Sequence, residues 1–130
     1  MTEHEESQRT AEKFIQDHID SVPHLESLLL LWNSRPRTWA VEEVAHGLFV
    51  DAAAAKKILQ DLSRQKLVAV VQTHAETYAY ASEPENDRLM TSVAAAYRED
   101  LIRITRMIHS KPPAAVREFA KAFRFTKERE

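Results

Sequence analysis

Cysteine is absent from this 130-residue chain and glycine almost so, and both absences restrict what the protein can be. Without cysteine there are no disulfide bonds and no thiolate chemistry, and a reducing cytoplasm is compatible with the sequence. Gly47 is the sole glycine, whereas Ala, Leu, Glu, Lys, Arg and Gln are common. Because these residues favour helices, the composition predicts a mainly α-helical domain with a core of its own.

Long apolar stretches are also missing. The longest apolar run, residues 28–32, is far too short to cross a bilayer. The first twelve residues are polar and acidic and contain no apolar segment of the kind found in secretory signals. We therefore expect a soluble, cytoplasmic protein without a membrane partner.

Catalytic and metal-binding signatures are not found either. The chain has no glycine-rich phosphate loop, no nucleophile elbow and no kinase-type motif, so we expect no enzyme activity and no cofactor. The six histidines form no His-x-x-x-His pair, and a metal site would have to gather its ligands from distant elements. We expect no metal, and we expect His18 and His46 to be partly buried structural residues.

Residues 39–81 contain the most informative pattern in the chain. An amphipathic helix is predicted over residues 39–48, followed by a turn at residues 49–50 and a capping residue, Asp51. A second helix is predicted over residues 52–65, and the spacing of four apolar residues indicates its buried face: Ala55, Ile58, Leu59 and Leu62. Two strands follow, at residues 67–71 and 78–81, joined by a polar hairpin tip.

This order of elements resembles the winged helix-turn-helix of bacterial transcriptional regulators of the MarR and PadR families. The resemblance implies a mainly α fold with a small β-hairpin wing, and binding to double-stranded DNA by the second helix in the major groove. Lys57 falls where the MarR-like pattern commonly has arginine, and Lys66 stands where a glycine commonly precedes the strand. The candidate DNA-binding residues are Ala53, Ala54, Lys56, Lys57, Gln60 and Arg64, with Arg37 in the preceding loop.

The segments on either side of the motif are predicted to be helical. Residues 1–7 should be disordered, and a helix over residues 8–20 would place Phe14, Ile15, His18 and Ile19 on one face. The resemblance implies that this N-terminal helix is a dimerisation helix, and the alternative is that it packs on its own domain. A largely apolar helix over residues 23–33 would be the scaffold of the winged domain, and Thr38 and Trp39 could form its brief first strand. The chain thus divides into an N-terminal tail and helix (1–20), the winged helix-turn-helix (21–82) and C-terminal helices (83–130).

The C-terminal part carries the predicted dimerisation surface. A single helix over residues 88–110 would be roughly 33 Å long, more than the small winged domain can cover. A second copy of the chain would then cover its apolar stripe, which consists of Leu89, Val93, Tyr97, Leu101, Ile104 and Ile108. A short final helix is predicted with Val116, Phe119, Ala120 and Phe123 on one face.

Charge distribution leaves two functions open. Residues 51–66 have a net charge of +2, which suits a DNA-reading helix, whereas residues 67–87 contain four acids and no cation. The acidic wing favours an alternative, a winged-helix module that binds a protein partner and not DNA. The aromatic residues Trp32, Trp39, Tyr78, Tyr80 and Tyr97 either fill the core or line a pocket for a small effector.

Overall fold

The structure is a computed structural model that describes residues 2–72, 75–112 and 120. The helices are α1 (Glu3–His18), α2 (Val22–Asn33), α3 (Val41–Leu48), α4 (Ala52–Arg64), α5 (Pro84–Glu99) and α6 (Leu101–His109). The strands are β1 (Trp39–Ala40), β2 (Val68–Gln72) and β3 (Glu76–Tyr80). This architecture confirms the predicted mainly α fold with a small β wing. The predicted final helix, around Val116, Phe119 and Phe123, lies outside the described residues.

Helix α1 begins earlier than the sequence pattern predicts. The side chain of Thr2 caps it by accepting a hydrogen bond of 3.2 Å from the backbone N–H of Glu5. Three acidic residues in the first turn further stabilise this end of the helix, where the helix dipole is positive. The prediction that residues 1–7 are disordered is therefore wrong for residues 3–7. Ile15 and Ile19 are fully buried as predicted, whereas His18 is exposed.

Helix α2 is the central scaffold, as predicted. Leu25, Leu28 and Leu31 are fully buried, and α2 contacts α3, α4, α5, α6 and β3. Ser21 caps its first turn by accepting a hydrogen bond from the backbone N–H of His24. A helix that is apolar on nearly all sides can sit in the middle of such a fold because neighbouring elements cover most of its surface.

The three strands form one antiparallel sheet in the order β1-β3-β2. Trp39 is paired with Tyr78 across β1 and β3, so the predicted first strand is confirmed at Trp39. It contains Ala40 and not Thr38, and α3 begins only after it. The rings of Trp32 and Tyr80 meet edge to face with centroids 5.0 Å apart. These four aromatic side chains are buried, so they belong to the core of the winged domain.

The predicted long C-terminal helix is divided in two over residues 84–109. The backbone leaves the helical conformation at Asp100 (φ −143°, ψ 58°), between α5 and α6. The break lets α6 pack against α1 and α2, where Ile104 and Ile108 become buried, while Val93 is buried on α5. The predicted single helix is therefore wrong, because tertiary packing outweighs a continuous helical pattern.

The same break changes the predicted dimerisation stripe. Val93, Ile104 and Ile108 are covered by their own chain, so these three side chains do not need a second copy to shield them. Leu89 and Tyr97 are half-buried. Beside the break, the residues Leu101 and Ile102 remain 50% and 66% exposed.

The turn between α3 and α4 contains a backbone conformation that L-residues rarely adopt. Phe49 has φ 57° and ψ 42°, and it is 94% exposed to solvent. We expect Phe49→Gly to raise the free energy of unfolding by about 1 kcal/mol, since glycine adopts this conformation without a Cβ clash. Urea denaturation measures the change. Phe49→Ala, which keeps the Cβ, should stay near the parent, and an equal gain in that variant would contradict the backbone explanation.

Candidate nucleic-acid interface

Two capping carboxylates set the geometry of the helix-turn-helix formed by α3 and α4. At the start of α3, Glu43 Oε1 accepts a hydrogen bond of 2.9 Å from the backbone N–H of Ala40. At the start of α4, Asp51 Oδ1 accepts one of 2.7 Å from the backbone N–H of Ala54, which confirms the predicted cap. Each bond satisfies a donor that the helix itself leaves unpaired. The two caps thus fix where α3 and α4 begin.

Helix α4 has one buried face and one exposed face. The predicted inner residues Ala55, Ile58, Leu59 and Leu62 are all buried. On the outer side, five of the predicted DNA-binding residues are exposed: Ala53, Lys56, Lys57, Gln60 and Arg64. Ala54, beside them, is half-buried. The outer face therefore offers three cations, one amide and small residues that allow close approach of another surface.

An acidic residue, Asp61, lies on the flank of this face, and the sequence pattern does not predict its role. The Asp61 side chain is only 9% exposed, and its carboxylate accepts from Lys57 Nζ at 3.3 Å and from Arg64. On its inner side, Asp61 Oδ2 lies 2.9 Å from Nε2 of the buried His24 of α2. Burial raises the pKa of Asp61, but the hydrogen bonds from His24 and Lys57 outweigh it, and the pKa lies below 3.8.

Among the histidines that the structure describes, His24 is the buried one, and the expectation that His18 and His46 are partly buried is wrong. His18 and His46 are exposed, whereas His24 is packed between Ser21 and Asp61, with Ser21 Oγ 2.6 Å from His24 Nδ1. The signal available in the sequence was Ser21 three residues before His24 on an otherwise apolar helix. Its partner Asp61 is 37 residues away, and no local pattern connects the two.

Asp20, His24 and Asp61 bring three potential metal ligands within 4.8 Å of one another. The contacts of the cluster indicate a different role. Two protein cations, Lys57 and Arg64, approach the Asp61 carboxylate from outside, and both ring nitrogens of His24 are engaged by protein atoms. Asp61 thus forms, with His24, Lys57 and Arg64, a hydrogen-bonded ion network that ties α4 to α2.

Arg37 contacts residues at the start of α3. Its guanidinium lies 3.7 Å from the centroid of the Trp39 ring and pairs with Glu43 Oε2 at 2.8 Å. The backbone hydrogen bond from Ala40 and the bond from Arg37 together lower the pKa of the Glu43 carboxyl. The side chain is still half-exposed, so this predicted DNA-binding residue would have to leave or share Glu43 to reach a phosphate.

A shallow groove separates α4 from the wing. It is lined by Gln60, Ser63, Arg64, Val70, Glu76 and Tyr78. Tyr78 donates a hydrogen bond of 2.6 Å to Glu76 Oε1, and burial together with this carboxylate raises the pKa of Tyr78 to about 12. The acidic wing predicted from the sequence thus presents Glu76 beside Arg64. Thr73 and His74, at the tip of the hairpin, lie outside the described residues.

Within the part of the chain that the structure describes, no helix combines the length and the apolar character needed to cross a membrane.

No sequence-family model and no curated protein matches the chain. Solved structures do match it. A MarR family protein from Bacillus stearothermophilus is 14% identical with a TM-score of 0.54, over 96% of this chain and 85% of that one. The Mycobacterium tuberculosis transcriptional regulator MosR is 14% identical with a TM-score of 0.53, over 95% of this chain and 89% of that one.

A variant of MepR from S. aureus, in a structure bound to an oligodeoxyribonucleotide, is 15% identical with a TM-score of 0.56. That match covers 95% of this chain and 88% of the MepR chain. At such identities the likeness concerns the fold and not the side chains, and it extends over nearly the whole chain, helices α1, α5 and α6 included. The chain therefore has the winged-helix fold of MarR-family transcriptional regulators.

Proposed function

We propose that this protein is a DNA-binding transcriptional regulator that acts as a homodimer. The observation that carries the proposal is the outer face of α4, where Lys56, Lys57, Gln60 and Arg64 are exposed together on the second helix of a helix-turn-helix. In this motif the second helix enters the major groove. The MepR variant bound to an oligodeoxyribonucleotide has the same fold, which supports the assignment.

The residues of α4 have distinct proposed roles. Lys56 and Lys57 would donate to guanine O6 or N7, and Gln60 could form a pair of hydrogen bonds with adenine. Ala53 and Ala54 let the helix approach closely and would contact thymine methyl groups. Arg64, near the far end of α4, would reach a phosphate, and Arg37 would do so from the start of α3.

DNA-binding anisotropy with mixed-sequence duplex at low and moderate salt tests the assignment of α4. We expect Lys56→Glu/Lys57→Glu to weaken affinity by about 100-fold, because the change removes two cations and adds two anions at the phosphate surface. Arg9→Glu/Lys13→Glu is a matched control, since it changes the same number of charges at exposed positions of α1. That control should lose far less affinity.

Two outcomes would contradict the proposal. Equal losses in the two charge-reversal variants would mean that α4 is not the reading helix. Absence of binding by the unmodified protein even at low salt would contradict DNA binding itself. The acidic wing would then favour the alternative function, a module that binds a protein partner.

Two observations support a homodimer: DNA affinity depends on the number of phosphate contacts, and apolar surface is exposed on α6. One winged domain makes few phosphate contacts, and two would read half-sites about 34 Å apart on a palindromic site. Leu101 and Ile102, exposed at the start of α6, are the apolar side chains that a second copy would cover, next to the half-buried Leu89 and Tyr97. Light scattering at tens of micromolar measures the mass, and a monomer would contradict this part of the proposal.

A further inference from the structure

Two of the cations that α4 would use on DNA are already bound to a carboxylate of the same helix. Lys57 and Arg64 lie four residues before and three residues after Asp61, so all three share one side of α4. The lysine Nζ is 3.3 Å from Asp61 Oδ2, and the Arg64 guanidinium contacts Oδ1. The side chains of both cations are otherwise more than 70% exposed, so DNA could reach them.

The carboxylate that holds them is itself fixed. Its side chain is 9% exposed, and the inner oxygen contacts His24, whose other ring nitrogen contacts Ser21 at the start of α2. Asp61 therefore cannot swing into solvent as an ordinary surface carboxylate does, because it would leave a buried histidine without its partner. The cations can leave Asp61, but Asp61 cannot follow them.

We propose that Asp61 is a specificity-determining residue, an internal anion that competes with DNA phosphate for Lys57 and Arg64. The inference rests on the proposed DNA-binding function. Away from a specific site Lys57 has no guanine to bind and, like Arg64, can contact only phosphate. Each such contact must first separate the cation from a carboxylate that stays in place, so sequence-independent affinity is reduced. Net binding then depends more on base contacts that Asp61 does not oppose, such as those of Gln60.

The charge-neutral isostere Asp61→Asn tests this competition. Anisotropy is measured with mixed-sequence duplex over a series of salt concentrations. We expect affinity at low salt to rise by about tenfold, and the dependence of log K on log salt to steepen by about 0.9 for each cation released to phosphate. The free protein should remain folded by circular dichroism at the assay temperature.

Asp51→Asn is the matched control. This substitution removes one negative charge from the start of the same helix, and asparagine caps helices as well as aspartate does. In the contacts described, Asp51 accepts a hydrogen bond from a backbone amide and not from Lys57 or Arg64. It should raise affinity slightly and leave the salt dependence unchanged. Equal changes in the two Asn variants would overturn the inference, since they would show a general effect of net charge.

A second comparison does not rely on changing Asp61 alone. Lys57→Ala should reduce affinity by about twofold in the parent protein and by about tenfold in the Asp61→Asn background, where the lysine is free to contact phosphate. An identical loss in both backgrounds would overturn the inference while leaving DNA binding intact. If neither the parent nor Asp61→Asn binds DNA at low salt, the proposed function fails as well.

Discussion

Replacing Ile104 by Ala is expected to lower the free energy of unfolding by about 3 kcal/mol. Ile104 is 1% exposed within a single chain, in the helix that packs against α1 and α2. The substitution removes buried methyl and methylene groups and leaves a cavity that rigid neighbouring helices cannot fill. Urea denaturation at two protein concentrations measures the loss, which should be the same at both because the contacts are within one protomer.

Ile102 is the matched control, since it is the same residue type in the same helix but is 66% exposed. Ile102→Ala should change the stability of the protomer by about 0.5 kcal/mol or less, and should instead weaken the proposed dimer, detected as a lower mass at micromolar concentration. The reverse result, in which Ile104→Ala dissociates dimers without destabilising the chain, would restore the stripe predicted from the sequence as the dimer interface.

The parts of the fold that the sequence predicts correctly depend on short-range signals. Asp51 followed by an alanine-rich amphipathic stretch predicts both the cap and the buried face of α4, because capping and the 3.6-residue period act within a few residues. Lys66 at φ 62° occupies the left-handed position that the MarR-like pattern commonly gives to glycine. The same helical period predicts which of the candidate DNA-binding residues on α4 are exposed.

The features that the sequence does not predict depend on contacts between distant residues. The break at Asp100 exists because α6 gains more by packing on α1 and α2 than by continuing α5, and no local residue pattern measures that gain. The ion network of His24 and Asp61 likewise joins two helices across 37 residues. The early start of α1 is different, since Thr2 with Glu5 three residues later is a readable capping signal.

Removal of the His24 side chain is the second substitution that we expect to lower the free energy of unfolding substantially. His24→Ala leaves the buried Asp61 carboxylate without its inner partner, although Lys57 and Arg64 still contact it from the solvent side. Removing one member of a fully buried pair costs about 3–5 kcal/mol, and the two exposed cations should reduce the cost here to about 2 kcal/mol. His46→Ala, a change of the same type at an exposed position, should cost about 0.5 kcal/mol or less.

The pH dependence of this loss distinguishes the ion network from simple packing. The folded pKa of Asp61 lies below 3.8, so the network contributes stability above pH 3.8, and that contribution is lost as the pH falls through the folded pKa. The difference in the free energy of unfolding between the parent and His24→Ala should therefore have its full value at neutral pH. It should decrease in acid once Asp61 is protonated. Urea denaturation across this range measures it. A difference that stays constant well below pH 3.8 would show that His24 stabilises the fold by packing and not through the Asp61 carboxylate.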